Sequence, residues 1–172
     1  MKARIPRSRR AFESLERQFL EASDDGGLES LVPAVKARGH LTRPELLAVC
    51  RWKSPRALPL AERNEDLHVR EATTWALGAE TERLRIEALL LLQGVSWPTA
   101  SVILHFFHSD PYPVLDIRAL WSLGFKVPAS YTFDLWWKYV EACRELSTSL
   151  SIPMRTVDRA LWQYSRNRGG PA

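Results

Sequence analysis

Glycines and prolines stand at the ends of successive apolar stripes in this chain, and this spacing constrains the fold more than any other feature. Within each stretch, apolar residues recur at helical intervals, as Phe12, Leu15 and Phe19 do. No segment alternates polar and apolar residues over several positions, which is the pattern of a half-buried strand. The pattern therefore predicts an all-α fold of about nine or ten helices.

Several of the predicted helices have end signals. Thr42 is expected to cap one helix, with Glu45 at the capping-box position. Asn64 is predicted to cap another, and the leucine-rich helix before Gly94 is apolar nearly all round its second half, which predicts a central position. The predicted helices span about residues 8–22, 28–38, 42–55, 64–77, 80–93, 98–108, 116–123, 133–149 and 153–166.

Length and hydropathy set the class of protein. The chain has 172 residues, 45% of them hydrophobic, which suits one domain, or two small lobes sharing a core. It has no run of 18 or more apolar residues, so we expect no membrane span. The first ten residues, MKARIPRSRR, are charged, and no apolar stretch follows them, so they are not expected to be a secretory signal.

The two cysteines, Cys50 and Cys143, are far apart in the sequence. No C-x-x-C pair suggests a zinc site or an iron–sulfur cluster. We expect two buried free thiols in a reducing, cytoplasmic compartment.

The charge balance is basic. The formal net charge is +4, and five of the first ten residues are cations. Arg166 and Arg168 stand near the other end. Such a balance favours a polyanionic partner, and a solvated basic surface is the open alternative.

The stretch Gly94-Val95-Ser96-Trp97-Pro98 predicts a tight connection between two helices. Gly94 can take a positive φ and end the leucine helix. Trp97 precedes a proline and suits an N-cap position, with Pro98 at the first helical position. The N–H groups of the connection and of the next helix would then face one way, which suits a phosphate. An ordinary helix–turn–helix corner is the alternative.

A carboxylate follows the second helix of this pair. Pro111 and Pro113 predict an extended segment, and Asp116 then opens another helix. At this position Asp116 is either an ordinary helix cap or a catalytic carboxylate.

Together these residues resemble the helix-hairpin-helix superfamily of DNA glycosylases. The family's hairpin pattern is Leu-Pro-Gly-Val-Gly-x-Lys-Thr-Ala, followed by a Pro-Val-Asp segment that opens a helix. Here residues 92–100 read LQGVSWPTA and residues 112–116 read YPVLD. Pro98 stands at the lysine position, and Asp116 lies 18 residues later, a family-like interval. The close resemblance covers about residues 89–124.

The resemblance implies a fold and a chemistry. It implies a single two-lobed all-α domain, with the helix-hairpin-helix at about residues 84–108 and the N-terminal helix beside the C-terminal helices of residues 133–166. In the family, hairpin N–H groups hold a DNA phosphate, often with a monovalent cation on nearby carbonyls, and the substrate nucleotide is flipped into a cleft between the lobes. By position, the resemblance assigns DNA binding to Gly94, Val95, Ser96, Trp97 and Thr99, and catalysis to Asp116.

The chain departs from the family pattern at four points. Pro98 replaces the lysine with which bifunctional members form a Schiff base, so the resemblance implies a monofunctional enzyme. Ser96 replaces the second hairpin glycine, which would cost about 1 kcal/mol if that position needs a positive φ. Leu115 is an extra residue between Pro-Val and Asp116. The four-cysteine cluster of some members is lacking, so no iron–sulfur centre and no other cofactor are expected.

Residues for a base pocket are harder to read from the sequence. Aromatic, cationic and imidazole side chains are the natural contacts for a flipped base, and the candidates are Trp52, Lys53, Arg56, His105 and Tyr112. In the alternative reading, Trp52 lies in the core, and Lys53 and Arg56 are merely solvated. His105 and His108 stand three residues apart, but no carboxylate completes a metal site, so no metal is predicted.

The leading hypothesis is a monofunctional DNA N-glycosylase of base-excision repair, acting as a monomer on double-stranded DNA. A non-catalytic DNA-binding module would keep the phosphate contact and use Asp116 only as a cap. A helical interaction protein with an incidental basic surface is the third reading. A displaced lysine nucleophile, Lys53, Lys126 or Lys138, also stays open.

Overall fold

The computed structural model describes residues 3–22, 27–126 and 129–171. In this part of the chain helices joined by loops are present, and there is no β-strand. The prediction of an all-α fold is confirmed. The α-helices are α1 (Arg9–Ala22), α2 (Val32–Arg38), α3 (Arg43–Lys53), α4 (Leu58–Ala61), α5 (Asp66–Gly78), α6 (Glu82–Leu89), α7 (Trp97–Phe107), α8 (Ile117–Ser122), α9 (Phe133–Leu150) and α10 (Met154–Asn167). Short 3-10 turns at Leu28–Leu31 and Pro55–Ala57 precede α2 and α4.

The described residues divide into two compact units. Unit one contains the segment before residue 24 and everything from Pro111 onward, and therefore holds α1 and α8 to α10. Unit two is the continuous stretch up to Asp110, with α2 to α7.

In unit one, α10 is the central helix. It packs along α1, and also against α8 and α9. Large side chains fill this core, among them Phe12 of α1, Trp136 and Tyr139 of α9, and Leu161 of α10, all of them fully buried. Their burial supplies the main apolar stabilisation of the unit.

The basic N-terminal segment is tied into unit one. The Arg4 N–H donates to the Ser122 carbonyl at 2.9 Å, and the Tyr164 hydroxyl donates to the Arg4 carbonyl at 2.7 Å. The Arg4 guanidinium donates to the Trp121 carbonyl at 2.6 Å and covers the Trp121 ring. Arg7 and Arg9 form ion pairs with acidic side chains of the same unit. Much of the positive charge in this segment is therefore engaged inside the protein.

In unit two, α3, α5 and α6 surround α7. The most apolar helix is α7, with eight of its eleven residues buried. The predicted capping box is confirmed: the Thr42 N–H donates to the Glu45 carboxylate at 2.7 Å, and the Thr42 hydroxyl accepts in return. The predicted end of a helix at residue 38 is also confirmed, and the next residue, Gly39, has a left-handed backbone with φ 75°.

The prediction of a leucine helix reaching Gln93 is wrong. The helix α6 ends at Leu89, and the chain continues in tighter turns in which each N–H donates to the carbonyl three residues earlier. One leucine of the run, Leu91, is 62% exposed. The run is therefore part helix and part turn, because the tighter turns rotate Leu91 out of the apolar stripe.

Both thiols are free and buried, as the sequence predicts: Cys50 in unit two and Cys143 in unit one. Burial raises the pKa of the Cys50 thiol to about 11 and raises that of Cys143 as well. A thiol that stays protonated is a poor nucleophile and a poor metal ligand, so both act as small apolar core residues. Among the described helices, none combines the length and apolar character that a membrane crossing requires.

Candidate functional site

The connection between α6 and α7 turns at Gly94, which has a left-handed backbone with φ 77°. It also lies against another backbone segment. A Cβ added at Gly94 would stand 2.7 Å from the Ala61 nitrogen and 2.8 Å from the Ala57 oxygen, closer than carbon atoms approach such groups. Gly94 is therefore required for two reasons, its backbone angle and its contact with the chain around α4.

A buried asparagine, Asn64, also holds this connection in place through side-chain hydrogen bonds. The Asn64 amide nitrogen donates to the Ala61 carbonyl at 2.8 Å and to the Gln93 carbonyl at 2.9 Å. Its side-chain oxygen accepts from the Gln93 N–H at 2.9 Å. The prediction that Asn64 caps α5 is wrong, because Glu65 occupies the N-cap position. Asn64 instead joins α4 to the connection between α6 and α7 (the hairpin), and both polar atoms of its side chain form hydrogen bonds.

Replacing Asn64 with alanine should destabilise unit two. The change removes the side-chain hydrogen bonds to Ala61 and Gln93 and leaves the partly buried N–H and C=O groups of Gln93 without these partners, so we expect a loss of about 1–3 kcal/mol in the free energy of unfolding. The measurement is denaturant unfolding monitored by circular dichroism. Gln18→Ala is the control, because Gln18 is an exposed amide whose hydrogen bond from the Asn167 amide lies at the surface, where water can replace it, and it should change stability by less than about 0.5 kcal/mol. Equal effects of the two changes would contradict this role for Asn64.

A groove of about 580 Å³ runs between the hairpin and the loop after α3. The α6–α7 connection contributes Gly94, Val95 and Ser96, and two cations line the other side: Lys53, the last residue of α3, and Arg56 of the loop. The Arg56 side chain is exposed and makes no hydrogen bond or ion pair with any described residue, while Lys53 is partly buried. The remaining lining residues are Ser54, Pro55, Ala57 and Leu60. Two segments that the sequence analysis treated separately thus meet in one basic groove.

The helix α7 begins at this groove. Its N-cap is Ser96, with φ −103° and ψ 173°, so the prediction of Trp97 as N-cap is wrong by one residue. Because Ser96 is extended, serine carries no strain at the position of the second hairpin glycine. The first-turn N–H groups of a helix lack intrahelical acceptors, and the helix dipole makes this end positive. The N-terminus of α7 and the Arg56 side chain therefore present positive charge to the same groove.

Thr99 plays a different part from the one expected. It is fully buried, and its hydroxyl lies 3.2 Å from the Ser54 hydroxyl as donor. Thr99 therefore supports Ser54 in the wall of the groove. It is Ser54, and not Thr99, that can contact a ligand. Val95 is buried as well, and its N–H donates to the Leu92 carbonyl at 3.1 Å, so this N–H is used within the connection.

The other base-pocket candidates in unit two lie outside this groove lining. Trp52 packs edge-on against Phe106 with ring centres 6.0 Å apart, and it is only partly exposed. His105 packs against the same Phe106 ring at 4.9 Å. Both side chains thus take part in an aromatic cluster on α3 and α7.

Tyr112 belongs to unit one and is fully buried. Its ring stacks on Trp136 at 5.9 Å, and the Arg144 guanidinium lies 4.7 Å from the ring centre. The expectation that it lines a base pocket is corrected, because a ring enclosed in this way is a core residue. Sequence spacing alone placed it near Asp116 but gave no sign of its burial.

Asp116 is the N-cap of α8 in unit one. Its Oδ1 accepts from the Arg118 N–H at 2.9 Å, and the side chain is partly exposed. Burial, and secondly the charge of Asp116, raise the pKa of the Tyr131 hydroxyl, so Tyr131 is a neutral neighbour of this carboxylate. Tyr131 could not be predicted from the sequence, because it lies in a loop with no periodic signal.

Within the described part of the chain, no three His, Cys, Asp or Glu side chains converge in a way that could hold a metal ion. His108 is buried, and its Nδ1 accepts from the Asp110 N–H at 2.9 Å.

No protein-family model matches this chain, and no curated protein and no solved structure is significantly similar to it.

Proposed function

We propose that this chain binds double-stranded DNA through one backbone phosphate seated in the groove of unit two. The observation that carries the proposal is the meeting of Arg56 and Lys53 with the hairpin backbone and the N-terminus of α7. A phosphodiester is an anion with several acceptor oxygens, and both helix N-termini and guanidinium groups are favourable partners for it. The groove is open and shallow, which suits a continuous polymer better than a small enclosed ligand.

The chemistry that we propose is hydrolysis of an N-glycosidic bond by Asp116. In this reaction the bond from C1′ to the base nitrogen breaks, and a water oxygen bonds to C1′. The electron pair of the broken bond stays on the base nitrogen, which takes up a proton from solvent. Positive charge develops on the sugar, and a carboxylate stabilises it and accepts the proton of the attacking water. Asp116 is partly exposed, so water can reach it. The resemblance to helix-hairpin-helix glycosylases and the interval from Pro98 to Asp116 support this assignment.

The product should be an abasic site in an intact strand. Pro98 stands where bifunctional enzymes of the family hold a lysine, and a proline side chain cannot form a Schiff base. The test uses labelled duplexes, each with one damaged base, scored for strand breaks with and without hot alkali. Alkali-dependent breaks are expected. Breaks without alkali, lost in Lys53→Gln, would instead show a lyase that uses the groove lysine.

A non-catalytic DNA-binding module is the second candidate. Two observations favour it: the Asp116 carboxylate already caps α8, and the residues that line the groove include no carboxylate, histidine or cysteine. A protein that binds duplexes and yields no alkali-sensitive site on any of them would have this function.

Arg56→Gln should weaken DNA binding and flatten its salt dependence. Removing one phosphate contact lowers the slope of log K against log salt by about 1. We expect about a three- to tenfold weaker affinity at low salt, measured by fluorescence anisotropy at several salt concentrations. The matched control is Arg70→Gln, which removes an equal charge from a different depression on unit two. If both variants keep the wild-type slope, the phosphate is not bound in this groove.

A further inference from the structure

The segment that leads to Asp116 has no helical or sheet hydrogen bonds of its own. Residues 111–116 are irregular, yet Val114 and Leu115 are buried. Buried N–H and C=O groups must find partners, and in an irregular segment these partners have to come from elsewhere in the fold. The partners in this segment are side chains from distant parts of the sequence.

Both backbone polar groups of Val114 are held by side chains. The Val114 N–H donates to Asp158 Oδ1 at 2.9 Å, and the Tyr139 hydroxyl donates to the Val114 carbonyl at 2.9 Å. Asp158 belongs to α10 and Tyr139 to α9, and both are buried. One residue of the irregular segment is thus clamped between the two long helices of unit one.

The chain is also fixed on the far side of Asp116. The Ser122 hydroxyl, in the last turn of α8, donates to the Leu161 carbonyl of α10 at 2.6 Å. Between the two attachments, the Leu115 side chain is fully buried and anchors the segment in the core. The chain is therefore held by α9 and α10 on one side of Asp116 and by α10 on the other, and this limits where its carboxylate can lie.

The clamp depends on protonation states that the site maintains. Burial, and then the nearby Cys143, Asp158 and Asp116, raise the pKa of Tyr139, so its hydroxyl keeps the proton that it donates. Asp158 has a cationic neighbour, the Arg155 guanidinium at 3.5 Å. A buried carboxylate without such a partner would be strongly unfavourable.

We infer that Asp158 is a positioning residue for Asp116, acting through the Val114 N–H, with Tyr139 holding the other side of the same residue. The inference rests on the proposed function, because a fixed orientation of the Asp116 carboxylate is needed only if Asp116 is catalytic. A misplacement of about 1 Å can lower a rate about a hundredfold, so a hydrogen bond two residues away can control catalysis.

The experiment compares Asp158→Ala, Asp158→Asn and Tyr139→Phe with the wild type. Asparagine keeps an oxygen that can accept from the Val114 N–H, and alanine does not. On a duplex that the wild type processes, we expect Asp158→Ala to lower the single-turnover rate by about 30- to 100-fold. The Kd for the duplex should change less than about twofold, because phosphate binding is assigned to unit two. Asp158→Asn should stay within about fivefold of the wild-type rate.

Two results would overturn the inference: a wild-type rate in Asp158→Ala, or equal losses in the alanine and asparagine variants. If Asp158→Ala does not fold, Tyr139→Phe decides. It keeps the ring packing and should lower the rate at constant Kd, and a wild-type rate would again overturn the inference.

A spectroscopic measurement separates this inference from the proposed function. Asp116 is observed through its ¹³C-labelled carboxyl signal, which is assigned by its loss in Asp116→Asn. The signal should move in Asp158→Ala and stay in place in Asp158→Asn. If the wild type releases no base from any duplex, the proposed chemistry fails, and the carboxyl signal still decides the positioning role. An unmoved signal in the alanine variant would overturn it.

Discussion

Asp116→Asn is expected to abolish base release while leaving the fold and DNA binding intact. A positioned carboxylate that stabilises charge and takes a proton contributes about 10²- to 10⁴-fold in rate, so the single-turnover rate should fall by that factor. Asparagine still accepts a hydrogen bond from the Arg118 N–H, as an N-cap residue does, so α8 should remain capped. The change therefore removes the charge and retains the structural role.

The measurement is alkali-dependent strand cleavage of the best duplex from the lesion panel, at saturating enzyme. Asp66→Asn is the control, because it neutralises an exposed acid in the first turn of another helix, α5. It should leave the rate within about twofold of the wild type. A wild-type rate in Asp116→Asn would reduce Asp116 to a helix cap and favour the binding-module reading.

Gly94→Ala should give the largest loss of stability among the glycine substitutions in unit two. Alanine at a left-handed position costs about 1–2 kcal/mol, and the added methyl group would press on the backbone at Ala61 and Ala57. Overpacking against backbone adds about 1–3 kcal/mol, so the total loss should be about 2–5 kcal/mol.

Two other glycines of unit two separate these causes. Gly39 has φ 75° but no atom within 4 Å of an added Cβ, so Gly39→Ala should cost about 1 kcal/mol from the backbone angle alone. Gly78 is the last residue of α5. Its φ is not positive and an added Cβ would meet no atom within 4 Å, so Gly78→Ala should be neutral or stabilise by up to about 1 kcal/mol. Thermal and denaturant midpoints of the three variants give the order. A Gly94 variant as stable as the Gly39 variant would show that the hairpin can move away from α4.

Helix boundaries were readable from the sequence where the signal lay within one turn of the chain. The capping box at Thr42 and Glu45 and the left-handed stop at Gly39 depend on neighbouring residues only, and both are present. Asn64 was misread because its decisive partner, Gln93, lies 29 positions away. Local propensity favours asparagine as an N-cap and says nothing about such a contact.

The two segments of the candidate site could be predicted from the sequence, but their meeting in one groove could not. The hairpin residues and the basic loop both stood out as sequence motifs, but only the fold shows that Arg56 and Ser96 line one groove. Thr99 and Tyr112 are polar or amphipathic residues beside motifs, and either could face a ligand or the core. Burial decides this question, and burial depends on packing partners from other helices.

The order of the helices along the chain has a consequence for synthesis on the ribosome. Unit two is one continuous segment, so all of its helices are available before α8 is made. In unit one, by contrast, α1 is translated before all of unit two and packs on α10, which is translated after it. The ion pair of Arg159 with Glu16 joins residues 143 positions apart. The apolar face of α1 around Phe12 and Leu15 therefore has no α10 to pack on until all of unit two, α8 and α9 have been made. During that interval it is the natural binding surface for a chaperone, and a nascent chain that stalls before α10 would leave it uncovered.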